Sequence, residues 1–249
     1  MEAINDEPKF TLENWQSLVL ETAEYDRPPT PNILADLTQK LVSEWIELFN
    51  PTPSEKARGQ ELGRIAVLSP ASHARFFPDA PFEELKNSPE MQKHVAGEFG
   101  DILWYQVALL ADSGISMEET MANFFDRIPE SDQVRIGLEY FNSLASSHMP
   151  NAHRQPQEFD ENPIVIYGGM YVSRFVEAIS PVSGRSEGSR SEKVESAANL
   201  LWATTYLLNN YCHTNLQDVL QSTYVKLKQR KAQGIPQGQG IGDDRWRTS

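Results

Sequence analysis

Across 249 residues there is one cysteine, Cys212. A lone cysteine excludes an internal disulfide and any cysteine-built metal cage, and it fits a reducing compartment. Histidine is scarce and scattered. The residues three before His73, His94, His148, His153 and His213 are Pro70, Met91, Ala145, Pro150 and Asn210, so the Glu-x-x-His pair of a di-iron bundle is missing and zinc has no ligand set. No apolar run approaches the roughly 18–20 residues that a membrane span needs. The N-terminus, MEAINDEPKF, is acidic where a signal peptide would be basic and then apolar. These absences predict a cytoplasmic chain with no membrane partner. Positive charge is short as well: 22 Lys and Arg against 35 Asp and Glu leave a net charge of −13, which argues against binding a nucleic-acid polymer. A single nucleotide remains compatible, through a small site with a divalent cation between carboxylates and phosphates.

What the chain does have is helical periodicity. Its hydrophobic fraction of 39% suffices for one large or two small cores, and no alternating run is long enough for a sheet, so the class is all-α. Helices are predicted at about 11–25, 31–50, 89–113 and 116–128, punctuated by DRPPTPN, NPTP and Ser113-Gly114. Ser116 with Glu119 reads as a capping box. Between the second and third helices lies a long insertion, about 51–88, with a short helix expected near 55–68. A Ser/Gly/Arg-rich loop is expected at 180–193.

The second half echoes the first. LENWQSL at 12–18 returns as LEYFNSL at 138–144, VSEWIEL at 42–48 as VSRFVEAI at 172–179, and DILWYQVALLADSGIS at 101–116 as NLLWATTYLLNNYCHT at 199–214. Three echoes in one order predict a tandem duplication with units 10–130 and 131–249.

One stretch resists a purely structural account. In GEFGDILWYQ at 97–106, a helical rotation of about 100° per residue puts Glu98, Asp101, Tyr105 and Ala108 on one strip, with apolar side chains around most of the rest. Buried carboxylates need a cation or a set of donors. Glu44 and Glu47 repeat the spacing on the second helix, beside Asp36 and Lys40. Taken alone, that strip reads as a solvated face with Lys40 and Glu44 as an i, i+4 pair. Taken together, two antiparallel helices with carboxylates one turn apart can aim four oxygens at one space. Oxygen-only ligation suits Mg²⁺ or Mn²⁺.

The residues E44-W-I-E47 followed by E98-F-G-D101-I-L-W-Y resemble the E-x-x-E … E-x-x-D signature of MazG-like nucleoside triphosphate pyrophosphohydrolases, the all-α NTP pyrophosphatase superfamily related to dimeric dUTPases. WQSLVLETAEY, GISMEETMANF and the tail KLKQRKAQGIPQGQGIGDDR resemble further segments of that family, so the likeness covers nearly the whole chain. It departs from the family in the long gap between the motifs. In the second half the motif positions hold Tyr171, Arg174, Ser196 and Asn199, which cannot form a carboxylate cage. The family's Asn-x-x-Lys pair is divided: Asn123 is present with Asp126 where lysine belongs, while Lys226 stands beside Thr223 in the second half.

The resemblance implies a pseudo-dimer of helical bundles, either a single chain or paired again as a homodimer. It implies Mg²⁺ held by Glu44, Glu47, Glu98 and Asp101, with Glu47 or Glu98 as general base. Asn123, Lys226, Arg230, Lys231 and Arg245 would face the nucleotide, with Lys228, Asp243 and Asp244 nearby. Against this, KLKQRK also reads as the cationic last turn of a helix and GQGIGDDR as a disordered tail. The implied reaction converts a (d)NTP to the monophosphate and pyrophosphate. A catalytically weak nucleotide-binding or regulatory protein of the same fold is the alternative. Trp15, Tyr25 and Trp104 are either base-stacking platforms or, as helical spacing favours, core.

Overall fold

A side-chain oxygen stands at the start of most helices. In a computed structural model, which describes residues 11–23, 29–48, 87–125, 143, 163–180 and 186–233, Thr11 accepts from the Asn14 amide to start α1 (Leu12–Thr22). Thr30 caps α2 (Pro31–Glu47), whose first-turn proline has no amide hydrogen to leave unpaired. Ser88 and Pro89 do the same for α3 (Pro89–Asp112). Ser116 accepts from the Glu119 amide ahead of α4 (Met117–Phe125). After α5 (Pro163–Ile179), α6 (Arg190–Tyr211) and α7 (Leu216–Ala232) are capped by Ser189 and Asn215. The described residues contain these seven helices and no strand, which bears out the all-α reading. None of the helices is long and apolar enough to cross a membrane.

Two local expectations change. The loop expected over 180–193 ends earlier, because Ser189 and Glu192 form a reciprocal capping box that makes Arg190–Lys193 the first turn of α6. At Ser116 only half of the expected box forms: the Glu119 carboxylate turns to Arg190 at 2.6 Å and 3.0 Å, tying α4 to α6. The helix expected near 55–68, most of the 51–88 insertion, and LEYFNSL apart from Ser143 lie outside the described residues.

Helices α3 and α6 are buried on most sides and cross at the centre, where Gln106 Nε2 donates to the Ala197 carbonyl at 2.8 Å. Around them one core gathers Trp15, Trp45, Phe99, Trp104, Tyr171 and Phe175, each under 2% exposed. Helix α2 packs on α3 as α5 packs on α6; α4 packs on α6 as α7 packs on α3; and α2 meets α5 as α3 meets α6. Exchanging α2, α3 and α4 for α5, α6 and α7 leaves this pattern unchanged.

The two glycines of GEFGD have opposite roles. A Cβ on Gly100 would run into the Thr223 hydroxyl, so this glycine lets α7 approach α3 closely, whereas a Cβ on Gly97 meets nothing within 4 Å. Gly97→Ala is therefore expected to stabilise by about 0.5–1 kcal/mol through helix propensity. Gly100→Ala is expected to destabilise by about 1–3 kcal/mol through overpacking. Urea midpoints of the two variants check this directly.

Candidate metal centre

The α2–α3 contact brings the C-terminal turn of α2 against the middle of α3. Carboxylate oxygens of Glu44, Glu47 and Glu98 all lie within 4.8 Å of one another. Glu47 and Glu98 are only 6% and 7% exposed, and Glu44 is half-buried. Lys40, one turn back, pairs with Asp36 at 3.0 Å.

Three like charges this close raise their own cost. Burial pushes the Glu44 carboxyl well above its ordinary range. The negative charges of Asp101, Glu47 and Glu98 and a hydrogen bond with the Glu98 carboxyl push the same way. Without a cation, a proton on the Glu44 carboxyl relieves the repulsion. Three hard oxygen donors, presented by two packed helices with no sulfur or imidazole in the set, fit a hard divalent ion. Among the described residues no other Asp, Glu, His or Cys group of this kind occurs.

Asp101 does not complete the trio. Lys226 Nζ, from α7, lies 2.8 Å from both of its oxygens, an approach that the Gly100–Thr223 crossing one turn earlier on α7 permits. Burial raises the Asp101 carboxyl on balance; Lys226, by charge and hydrogen bond, and Arg230, by charge, oppose that rise, while Glu98 adds to it. Lys226→Met should cost about 1.5–3 kcal/mol, the worth of hydrogen bonds to a charged group. The cost should be greater at pH 8 than at pH 5, because Asp101 left alone takes up a proton as pH falls. Denaturation at the two pH values measures the difference.

The other nucleotide-facing candidates are dispersed. Lys231 pairs with Glu21 of α1 at 2.6 Å, on the surface. Asn123 lies on α4, whose main packing partners are α6 and α1. Lys228 stands over the Tyr224 ring. Arg245, Asp243, Asp244, Asp126 and Tyr25 lie outside the described residues. Trp15 and Trp104 are 0% and 1% exposed, and Trp104 Nε1 donates to Thr22 Oγ1 at 3.2 Å. Both are core, so neither is a stacking platform.

Two further residues of α3 join the site: His94, which belongs to no motif, and Tyr105, which shares the strip of Glu98 and Asp101. His94 stands one turn before Glu98 on α3; its Nε2 lies 3.0 Å from the Glu47 carbonyl oxygen and its Nδ1 3.3 Å from Glu98 Oε1. Tyr105, one turn beyond Asp101, has its phenol pushed well above its usual range, first by burial and then by the charges of Glu44, Asp101, Asp36 and Glu47. It therefore keeps its hydrogen beside the acids. Extending the strip of Glu98, Asp101 and Tyr105 by one helical turn toward the start of α3 reaches His94.

In the second half, Arg174, Ser196 and Asn199 line a cavity of about 690 Å³ together with Glu177, Glu192 and Glu195. Ser196 Oγ donates to the Lys193 carbonyl at 3.0 Å, and Tyr171 is buried in the core at 1% exposure. The four positions matched to the acidic motif thus offer a guanidinium, a hydroxyl, an amide and a phenol, and no carboxylate. The chain matches no protein-family model, no curated protein and no solved structure.

Proposed function

We propose that the chain is a divalent-metal-dependent nucleoside triphosphate pyrophosphohydrolase, built as two tandem copies of one helical unit of which the first retains the metal site. The observation that carries the reading is the trio Glu44, Glu47 and Glu98, closed by helix packing across the 50-residue separation that the sequence places between Glu47 and the Glu98–Asp101 pair. The exchange-symmetric packing of α2–α4 and α5–α7 supports the duplication, and it accounts for a single chain serving as its own pseudo-dimer.

In this reading, Mg²⁺ supplies charge neutralisation for the phosphates and orients the attacking water when bound. Glu44, Glu47 and Glu98 would hold it. The oxygen of Glu47 or Glu98 not committed to that task takes the proton as water adds to phosphorus. The α–β anhydride P–O bond breaks, and pyrophosphate leaves with its electron pair. Lys226, and Arg230 one turn on, supply positive charge from α7 beside the acids. Lys226 is paired with Asp101, so binding a triphosphate offers it a second anionic partner. Asn123, Lys231 and Arg245 are retained as nucleotide contacts only on the family resemblance.

A second reading, a nucleotide-binding protein with weak turnover, is favoured by the Lys226–Asp101 pair, which occupies one of the four motif carboxylates. Incubation with a panel of (d)NTPs and Mg²⁺ separates the two. Monophosphate and pyrophosphate in equal amounts are expected from the enzyme. Thermal stabilisation by a nucleotide without turnover would favour the binding protein, and orthophosphate as the primary product would contradict both.

A further inference from the structure

We infer that His94 is a positioning residue that holds the two metal-binding helices in register, a role that rests on the proposed metal site. The carbonyl of Glu47 belongs to the last residue of α2. His94 Nε2 meets that oxygen at 3.0 Å from α3. A carbonyl only accepts, so Nε2 carries a hydrogen. The other nitrogen, Nδ1, lies 3.3 Å from Glu98 Oε1 on its own helix. One imidazole, itself 16% exposed, therefore touches the backbone of one carboxylate residue of the trio and the side chain of another, from opposite sides of its ring. The contact fixes where α2 ends relative to α3, and it restricts the rotamer of Glu98. Partners behind metal-binding carboxylates orient them in this way, and their loss typically weakens metal binding about 10–100-fold.

The two contacts can be separated by substitution. Asparagine places an amide nitrogen near the position of Nδ1 and keeps the Glu98 contact; glutamine reaches toward Nε2 and keeps the Glu47 contact; phenylalanine keeps the ring and loses both. The probe is Mn²⁺ alone, titrated into nucleotide-free full-length protein and followed by loss of the electron paramagnetic resonance signal of the free aqua ion. His94→Phe is expected to bind Mn²⁺ about 10–100-fold more weakly than the unsubstituted chain, and His94→Gln, which keeps the contact between the helices, to recover more of the loss than His94→Asn. In turnover, His94→Phe should raise the Mg²⁺ concentration required while kcat at saturating Mg²⁺ returns close to that of the unsubstituted chain, a split that a general packing defect would not give. Unchanged Mn²⁺ affinity in His94→Phe overturns the clamp. If that variant does not fold, equal affinities of His94→Asn and His94→Gln overturn it. Absence of Mn²⁺ binding by the unsubstituted chain would instead overturn the metal site, and the clamp with it.

Discussion

Replacing Glu98 by glutamine is expected to lower pyrophosphate release about 10³-fold while leaving the fold intact, as read by product assay and thermal melting on the same sample. Glutamine has the size of glutamate but lacks its charge, and its amide end presents hydrogens where the ion needs an oxygen. If Glu98 is the base, the loss of general-base catalysis alone is worth about 10²–10⁴-fold; if it is only a ligand, the loss of one of three close oxygens weakens the ion that the reaction depends on. Both routes give a large effect. The fold should survive, because the side chain is surrounded by other acids and removing its charge relieves repulsion. Pyrophosphate release that is unchanged in Glu98→Gln would move the chemistry away from this cluster.

Glu44→Gln should reverse its effect on stability according to whether metal is present. In EDTA at pH 8 the variant is expected to melt about 2–4 °C higher than the unsubstituted chain, the shift that about 1 kcal/mol produces in a chain of this size, because one buried like charge is gone. The sign follows from linkage. Burial and neighbouring carboxylates raise Glu44, and burial raises Asp101, above their ordinary values near 4.5 and 3.8. Each group therefore binds its proton more tightly when folded. That stabilisation is complete below the unfolded values and is lost as pH rises through the folded ones. The metal-free chain should thus lose stability from pH 5 toward pH 8, and Glu44→Gln should lose less. Saturating Mg²⁺ inverts the order: at about 100 times its dissociation constant it adds about 2.7 kcal/mol to the unsubstituted chain and little to the variant. Because the ion competes with protonation of the Glu44 carboxyl, its affinity should also rise with pH. Melting curves at two pH values, with and without Mg²⁺, test all four corners.

Helices α1 to α4 were legible in the sequence because amphipathic spacing and caps are local signals. Thr11, and Thr30 and Ser88 each followed by a proline, stand at the starts of α1, α2 and α3. Ser189 and Glu192 carried the same signal, hidden inside a Ser/Gly/Arg-rich composition that reads as loop. Glu119 was readable as a box partner, but a carboxylate in the first turn also attracts a cation, and Arg190 from the other half wins it. The acid trio was legible as two repeated spacings. That Asp101 turns to Lys226 instead was not, because it depends on a contact 125 residues away, made possible by a glycine whose reason appears only when Thr223 is packed against it. His94 was within reach at i, i+4 from Glu98, yet its second partner is a backbone carbonyl, which leaves no trace in side-chain pattern.

The central claim, that Glu44, Glu47 and Glu98 form one divalent-metal site for a nucleotide, is tested most directly by an anomalous difference map from crystals grown with Mn²⁺ and an α,β-nonhydrolysable nucleotide. A peak is expected within about 2.0–2.3 Å of oxygens from all three side chains, with the triphosphate on its solvent side and Lys226 in reach of a phosphate oxygen. A nucleotide and ion bound elsewhere, with the three carboxylates left to one another, would contradict it.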